Sequence, residues 1–379
     1  MSQLAGCRRV LIIAYGHLGD SMAATPALRS LREALPGSRI DVLGLRCAEP
    51  ILGRSPHVDR LLQWGDFRRK GQPLARVEKA ALVAALAARL RPARYDATVV
   101  LHNGVRAMHL LADAVGSPIR AGLAYGSETF RERIPLPTEP ESARRENARV
   151  LAALGVPEDG GPVELPTTAD DVAAAETLIG SGSGPLVGIH PGSDWSCQQW
   201  LPERFAEVAT ALQDHASARI VLTGSSNELA LQAEVVRAMP RPPISAAGRT
   251  SFGALVEVIR RLDLLVCVSS AAASVADAVG TPSVVLFGPE DARYTGMVEG
   301  PIRRILQPGG SRTAGSWCEL GRWGVLSGCE SPACRGVLGL DRLSTAEVTA
   351  VCLEVLGAPA TAARSLSRPR FASRLDATG

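Results

Sequence analysis

Residues 8–45 read RRVLIIAYGHLGDSMAATPALRSLREALPGSRIDVLGL, and this stretch decides the fold. Val10 to Ala14 is a short apolar run, which Gly16 to Asp20 then breaks. From about Ser21 to Leu35 the apolar positions take helical spacing, and Pro36-Gly37 stops that helix. RIDVLGL follows as a second apolar strand. Strand, glycine turn, helix and strand make a βαβ unit, which requires parallel pairing with helices covering the sheet. DATVVLH, residues 96–102, continues the pattern as a further strand.

The same grammar restarts near residue 185. GPLVGIHPGS (184–193) is a strand entering a glycine loop, and Pro202 to Gln213 is a helix with proline at its first turn. ARIVLTGS (218–225) is a strand, with a helix from Asn227 onward. LDLLVCVSS (262–270), a helix over Ala271 to Val279, and TPSVVLFGP (281–289) complete the second set. Between the sets lie GVPEDGGPVELPTTADD and GSGSGP, whose Gly and Pro content reads as linker and loop. No short-period repeat interrupts this order. The expected organisation is an α/β chain of two doubly wound domains facing a cleft. The first domain spans residues 1–165, a linker 166–185, and the second domain 186–358 with a C-terminal helix. The tail 359–379, rich in Ala, Ser and Arg, is expected to be disordered.

Composition supports this and removes other classes. A chain of 379 residues is long enough for about two cores. Apolar residues are 46% and charged residues 21%, which excludes a wholly disordered chain, a collagen-like fibre and a coiled coil. Aromatics at 4% argue against a base-stacking platform for single-stranded nucleic acid. A net charge of +3, from 41 basic and 38 acidic residues, gives no nucleic-acid signature. Nearly all the basic residues are arginine, Lys70 and Lys79 being the lysines. Arginine suits bidentate phosphate contacts. No apolar run reaches the roughly 18–20 residues of a membrane span, and the N-terminal run reads as a strand, not a signal peptide. The expected location is the cytoplasm, with peripheral contact at the inner membrane face as a variant.

Eight cysteines fall far below disulfide-scaffold density. Cys267, inside LDLLVCV, reads as a small buried hydrophobe. Cys318, Cys329 and Cys334 cluster without a CxxC pair, so reduced thiols are preferred over a zinc site. His102 and His109, seven apart, share a helical face and read as packing or surface residues. Arg106, Arg120, Arg131 and Arg133 lie in the first half and can receive an anionic acceptor, although scattered arginines are usually solvated.

In open parallel sheets ligands bind beyond the carboxyl ends of the strands, and four such ends carry candidate groups. Gly16-His17-Leu18-Gly19-Asp20 offers backbone amides and a carboxylate. Asp20 is read as the N-cap of the next helix or as a catalytic base, and both remain open. His190-Pro191-Gly192-Ser193 suits a phosphate or a sugar hydroxyl. In Thr223-Gly224-Ser225-Ser226-Asn227-Glu228, the Glu228 carboxylate can accept from a ribose diol or complement the helix dipole. Ser269-Ser270-Ala271-Ala272-Ala273-Ser274 is an anion site at a helix N-terminus or a small-residue helix packed tightly on its sheet. HExxH, GxSxG, Walker and GxGxxG patterns are missing at these ends.

GDSMAATPALRSLREALPGSRIDVLG, HPGSDWSCQQWLPERF, VLTGSSNELAL and ADAVGTPSVVLFGPEDARY occur in that order. Together they resemble glycosyltransferase family 9, the ADP-heptose:lipopolysaccharide heptosyltransferases and their relatives, from about Arg9 to Leu356. The resemblance implies a GT-B fold of two Rossmann-like domains, with a C-terminal helix tending to return toward the first. It implies inverting, metal-independent transfer, without a cofactor, from a nucleotide sugar, ADP-linked by family, to a hydroxyl on a lipopolysaccharide core or a small metabolite. Asp20 matches the family's general base, with His17 and Gly19 beside it on the acceptor side. Ser193 matches the phosphate loop and Glu228 the ribose carboxylate. Thr223, Gly224, Ser269, Ser270 and Ser274 fall on the donor turns. Gln198 stands where members commonly have lysine, Ser269 where they have aspartate, and Ser274 where they have histidine. Three ionisable donor-side groups are thereby neutral. The competing expectation is a catalytically degenerate nucleotide-sugar-binding or scaffold protein on the same fold.

Overall fold

The computed structural model describes residues 2–14, 16–64, 68–69, 72–73, 76–101, 106–123, 132–134, 141–157, 161–193, 198–288, 292–297, 299–308 and 339–357. Two parallel sheets organise them. In the first half the strands of the parallel sheet are β1 (Arg9–Ala14), β2 (Arg39–Leu45), β3 (Arg60–Trp64), β4 (Ala97–Leu101), β5 (Ile119–Leu123) and β6 (Glu132–Ile134), with Arg68–Arg69 and Gln72–Pro73 forming a separate antiparallel pair. They lie in the spatial order β3-β2-β1-β4-β5-β6. β1 is central and pairs in parallel register with β2 (Arg9 with Arg39) and β4 (Val10 with Ala97). Its RVLIIA run is buried after the first residue, as a strand covered on both faces must be.

The second half repeats the plan. Its strands are β7 (Leu186–His190), β8 (Arg219–Leu222), β9 (Ile244–Ser245), β10 (Leu264–Val268), β11 (Ser283–Leu286) and β12 (Arg303–Leu306). Their order is β9-β8-β7-β10-β11-β12. Both sheets therefore carry the dinucleotide-fold order, which reverses direction beside the first strand of each half. The strands not expected from sequence are β3, β5, β6, β9 and β12. Each lies outside the central pair or trio, and edge strands carry weaker apolar runs: β3 begins with Arg60 and β12 with Arg303-Arg304.

The connection between the halves departs from the expected loop. Residues 169–179 form a helix, α5 (Ala169–Ile179), capped by Thr168, whose hydroxyl accepts from the Asp171 N–H. It packs against α8 (Phe252–Arg260) of the second half. Local Gly and Pro density flanks this helix without breaking it. Asp171 is buried and joins three elements. It accepts from Arg54 Nη1 at 3.0 Å, from Ser251 Oγ at 2.6 Å and from the Thr168 N–H at 3.1 Å. The Ser251 bond, with help from Thr168 and Arg54 and against the cost of burial, holds its carboxyl down to about 2. Upstream, Glu164 is strapped to the first half by Arg29 at 2.7 Å and His57 at 2.8 Å.

Three apolar clusters fill the layers. One lies on the Leu11, Leu43 and Leu62 face of the first sheet and one on the Val187, Leu222 and Val266 face of the second. The third and largest runs from Val10, Ile12 and Leu28 through Ala175 and Ile179 to Val221, Leu265 and Ala276. It is continuous across the connection, whereas sequence reading led to two separate cores. The last described helix, α10 (Thr345–Gly357), packs on α6 (Pro202–Ala216) of the second half. Residues 358–379, and Cys197, Cys318, Cys329 and Cys334, lie outside the described residues.

Candidate active site

The strand order places the site. In each sheet the switch point lies between the first strand and its partner on the other side, at the carboxyl ends. For the second half this falls between β7 and β10, flanked by β8. Three of the four candidate turns leave these adjacent strands: Pro191–Ser193 after β7, Thr223–Glu228 after β8, and Ser269–Ser274 after β10. The fourth, Gly16–Asp20, leaves β1 at the switch point of the first sheet. Its helix α1 (Leu18–Ala34) packs against α9 (Ala271–Val279), which the Ser269–Ser270 turn introduces. The turns of the two halves are thus joined through one helix pair.

Asp20 is not the N-cap expected from sequence. α1 begins earlier, at Leu18, with His17 as its N-cap, so Gly19 and Asp20 lie in the first turn. Asp20 Oδ2 reaches back and accepts from the His17 N–H at 2.9 Å. A Cβ on Gly16 would overlap the Asp20 side chain. Gly16 therefore permits the fold-back, which is why the helix starts before the glycine-rich stretch is finished. Cys47, in the short turn after β2, donates weakly from its Sγ to the Gly16 carbonyl at 3.9 Å.

Glu228 is built in the same way on the other side. Oε2 accepts from the Ser225 N–H at 2.6 Å and from Ser225 Oγ at 2.8 Å. It ends a single 3₁₀ turn, Ser226–Glu228, and the α-helix proper is α7 (Leu229–Ala238). A Cβ on Gly192 would overlap Glu228 Oε1, and one on Gly224 would crowd Oε2. The carboxylate thus lies across the glycines of two neighbouring strand ends. Beneath it the buried His190 ring bonds through Nδ1 with Thr223 Oγ1 at 3.0 Å. Burial pushes the imidazole below its ordinary range, opposed by the Glu228 charge, so this histidine is held neutral. Gln232 Nε2 donates to the Thr223 carbonyl at 2.6 Å and stacks against Gly224, leaving Gln232 Oε1 buried without a partner among the described residues.

Gln198, the residue in the lysine position, is only 2% exposed. Its Oε1 accepts from Ser193 Oγ at 3.0 Å, so two predicted donor residues pair with each other. Trp200 anchors this loop, edge-on to Phe205 with centroids 5.1 Å apart. Ser269 is buried, Ser274 is half-buried, and Ser270 is the N-cap of α9 with a buried Oγ that has no partner among the described residues. Backbone amides at that helix start add a partial positive end. Arg249 follows β9, where the Gly248 N–H bonds the Gly224 carbonyl at 3.0 Å, so its backbone flanks the Glu228 turn. Arg120 is paired with Asp113 at 3.4 Å, while His102, Arg131 and the side chains of Arg106 and Arg133 lie outside the described residues.

Sequence reading placed His190 and Gly192 in a candidate turn without giving either a part of its own, and missed Gln232. The usable signal was a glycine at each of two strand ends facing a carboxylate that, counted along the chain, belongs to only one of them. Among the described residues no helix is long and apolar enough to cross a membrane.

Two Rossmann-like sheets with their switch-point turns joined by a helix pair define the GT-B class. The model of glycosyltransferase family 9 (heptosyltransferase) matches residues 83–311. Lipopolysaccharide heptosyltransferase 3 of Escherichia coli is 27% identical over 287 residues, 72% of this chain and 81% of that protein. The family 9 glycosyl transferase of Veillonella parvula superposes with a TM-score of 0.72 at 22% identity, covering 92% of this chain and 97% of that one. The E. coli heptosyltransferase WaaC, solved with ADP-2-deoxy-2-fluoro heptose, gives 0.62 at 16% identity, covering 91% and 99%. The chain belongs to glycosyltransferase family 9, the heptosyltransferases.

Proposed function

We propose that residues 186–358 hold an ADP-linked heptose, that residues 1–165 hold the acceptor, and that residues 166–185 join the two units. The observation that carries this is the meeting of the Ser193, Thr223–Glu228 and Ser269–Ser274 turns on three adjacent strand ends at the switch point. The ADP-sugar in the WaaC structure supports the donor class. Glu228 takes the ribose diol. Ser193, Ser270 and the amides opening α9 receive the diphosphate, and these fixed dipoles offset the charge that develops as it leaves. Asp20 removes the proton from an acceptor hydroxyl whose oxygen attacks the anomeric carbon opposite the diphosphate, which inverts that centre. His17 and Gly19 border the acceptor. Its hydroxyl belongs to a lipopolysaccharide core or a smaller metabolite. Calorimetry with a panel of nucleotide sugars, followed by a transfer assay with the tightest binder, tests the proposal. Base-selective binding of an ADP-sugar and its transfer support it, and preference for another base rejects the donor.

A second reading has one observation of its own. Gln198, Ser269 and Ser274 remove three ionisable groups from the donor side, and Gln198 is packed against Ser193 rather than open to the cleft. A protein that binds the nucleotide sugar without transferring it would show tight ADP-sugar binding and no turnover with any acceptor.

A further inference from the structure

The opposite, amino edge of the first sheet has a charge distribution that the transfer reaction does not use. The first residues of three adjacent strands, β3, β2 and β1, are Arg60, Arg39 and Arg9. Arg9 is the register partner of Arg39, and Arg60 that of Asp41. Register partners on parallel strands point to the same face, and so do residues two apart on one strand. These arginines therefore share one face with Asp41, at a strand spacing of about 4.8 Å. Like charges so placed repel unless something neutralises them.

The protein supplies too little neutralisation. Arg9, Arg39, Arg60 and Arg89 line one cavity of about 210 Å³, whose floor includes Asp41 and Tyr95. Asp41 is 3% exposed, and both of its oxygens are taken: Oδ1 by Arg39 Nε at 2.9 Å and Oδ2 by the Tyr95 hydroxyl at 2.8 Å. Burial and the adjacent Asp41 raise Tyr95 well above the ordinary phenol range, so it adds no negative charge. Asp59 also faces Arg39, but Arg32 holds it at 2.5 Å and the Ile40 N–H at 2.7 Å. Arg9 spends one donor on the Ala93 carbonyl at 2.9 Å. Arg60 and Arg89 make no side-chain hydrogen bond or ion pair with any described residue, and both are exposed at the cavity wall. Arg89 also lies in the last turn of α2 (Arg76–Leu90), where a cation is favourable, but this accounts for neither Arg60 nor the convergence.

We infer that the cavity between Arg9, Arg39, Arg60 and Arg89 is a binding site for a phosphate-bearing anion, remote from the cleft. Planar guanidiniums with free forks match phosphate oxygens bidentately. A closed floor with polar walls suits a discrete phosphate or diphosphate group, borne by a soluble molecule or by a lipid headgroup. The site lies at the strand ends opposite those that build the transfer site, so occupancy does not require the cleft to be filled.

The test is a pyrophosphate titration by calorimetry of the full chain and of the double variants Arg60→Gln/Arg89→Gln and Arg60→Lys/Arg89→Lys. Both positions are exposed, so the variants should fold, and transfer activity should be retained. Saturable binding is expected, weakened about tenfold or more in the glutamine variant and less in the lysine variant, which keeps charge but loses the fork. In parallel, sedimentation with phosphatidylglycerol vesicles identifies the source. Vesicle binding lost in the glutamine variant and displaced by pyrophosphate assigns a lipid headgroup, and pyrophosphate binding alone assigns a soluble phosphate. Equal pyrophosphate and vesicle binding by wild type and glutamine variant, or none by wild type, overturns the inference.

Discussion

Asp20 and Glu228 stand in corresponding places in the two halves and are held by the same local device. Each carboxylate folds back to the backbone N–H three residues earlier, His17 at 2.9 Å and Ser225 at 2.6 Å. Each also needs a glycine to make room. The difference lies in where that glycine comes from. Gly16 is on Asp20's own loop, whereas Glu228 needs, besides Gly224 of its own loop, Gly192 from the neighbouring strand end, and further rests over the buried His190–Thr223 pair. One carboxylate is positioned by its own segment and the other by the assembled sheet. A helix-end contact alone would suffice for neither reading of their function, so the comparison must be made by substitution.

The largest expected effect is at Asp20. Asn keeps the shape and an amide oxygen that can still accept from the His17 N–H, so Asp20→Asn should fold and bind donor normally. Its turnover should fall by roughly 10²–10⁴-fold, the usual worth of a general base. Near-full turnover would reduce Asp20 to a helix-end contact. Glu228→Ala should instead leave the chemistry and weaken ADP-sugar binding by about 1–3 kcal/mol, read by calorimetry. The glycines sharpen the contrast. Gly16→Ala should lower kcat more than donor affinity. Gly192→Ala, by displacing Glu228, should weaken the donor about tenfold with a smaller effect on turnover at saturation. Equal effects of the two alanines on both quantities would erase the division of labour.

Gln198→Lys addresses the neutral donor side. An unpaired ammonium at a buried site that also breaks the Ser193 bond should cost about 1–3 kcal/mol without ligand. If the diphosphate lies there, ADP should restore more stability to this variant than it adds to wild type in a thermal melt. An equal ligand shift in both proteins would place the diphosphate elsewhere, with Arg249 the next position to change.

The smallest effect is one of pH. His109 is fully buried on α3 (Arg106–Val115), and burial lowers it from 6.5 to about 4 despite Asp113 nearby. The unfolded chain then binds the proton more tightly than the folded one. The contribution of neutral His109 to stability is complete above pH 6.5 and is lost as pH falls toward 4. Urea midpoints measured at pH 7.5, 6 and 5 should decline, and less steeply in a His109→Leu variant. Parallel slopes would assign the decline to other groups.

The central strands were legible because each is a short apolar run ended by glycine, serine or histidine. RVLIIA, LVGIH and LLVCV announce themselves in this way. Helix α9, which follows LLVCV, was read to its observed ends because Ser270 stands at its N-cap position and Gly280, at φ 75°, closes it. The edge strands were hidden by short or weak apolar runs, Glu132–Ile134 and Ile244–Ser245 being only three and two residues long. α5 was hidden by the glycines and prolines on either side, its own signal being the Thr168–Asp171 capping box. At the site, residue types on one loop could be read singly. The packing of Gly192 on Glu228, and of Gln198 on Ser193, joins different strand ends or the two ends of one loop, and linear order carries no distance for either.

The apolar cluster that passes through Ala175 and Ile179 from one sheet to the other has a calorimetric consequence. Domains that meet across a wet interface melt separately, each with its own enthalpy. Here one apolar cluster includes side chains of both halves and of the helix that joins them, so severing the chain at residue 180 would strip α5 from α8. The protein should therefore absorb heat in one transition whose van't Hoff and calorimetric enthalpies agree, and either half expressed by itself should be insoluble.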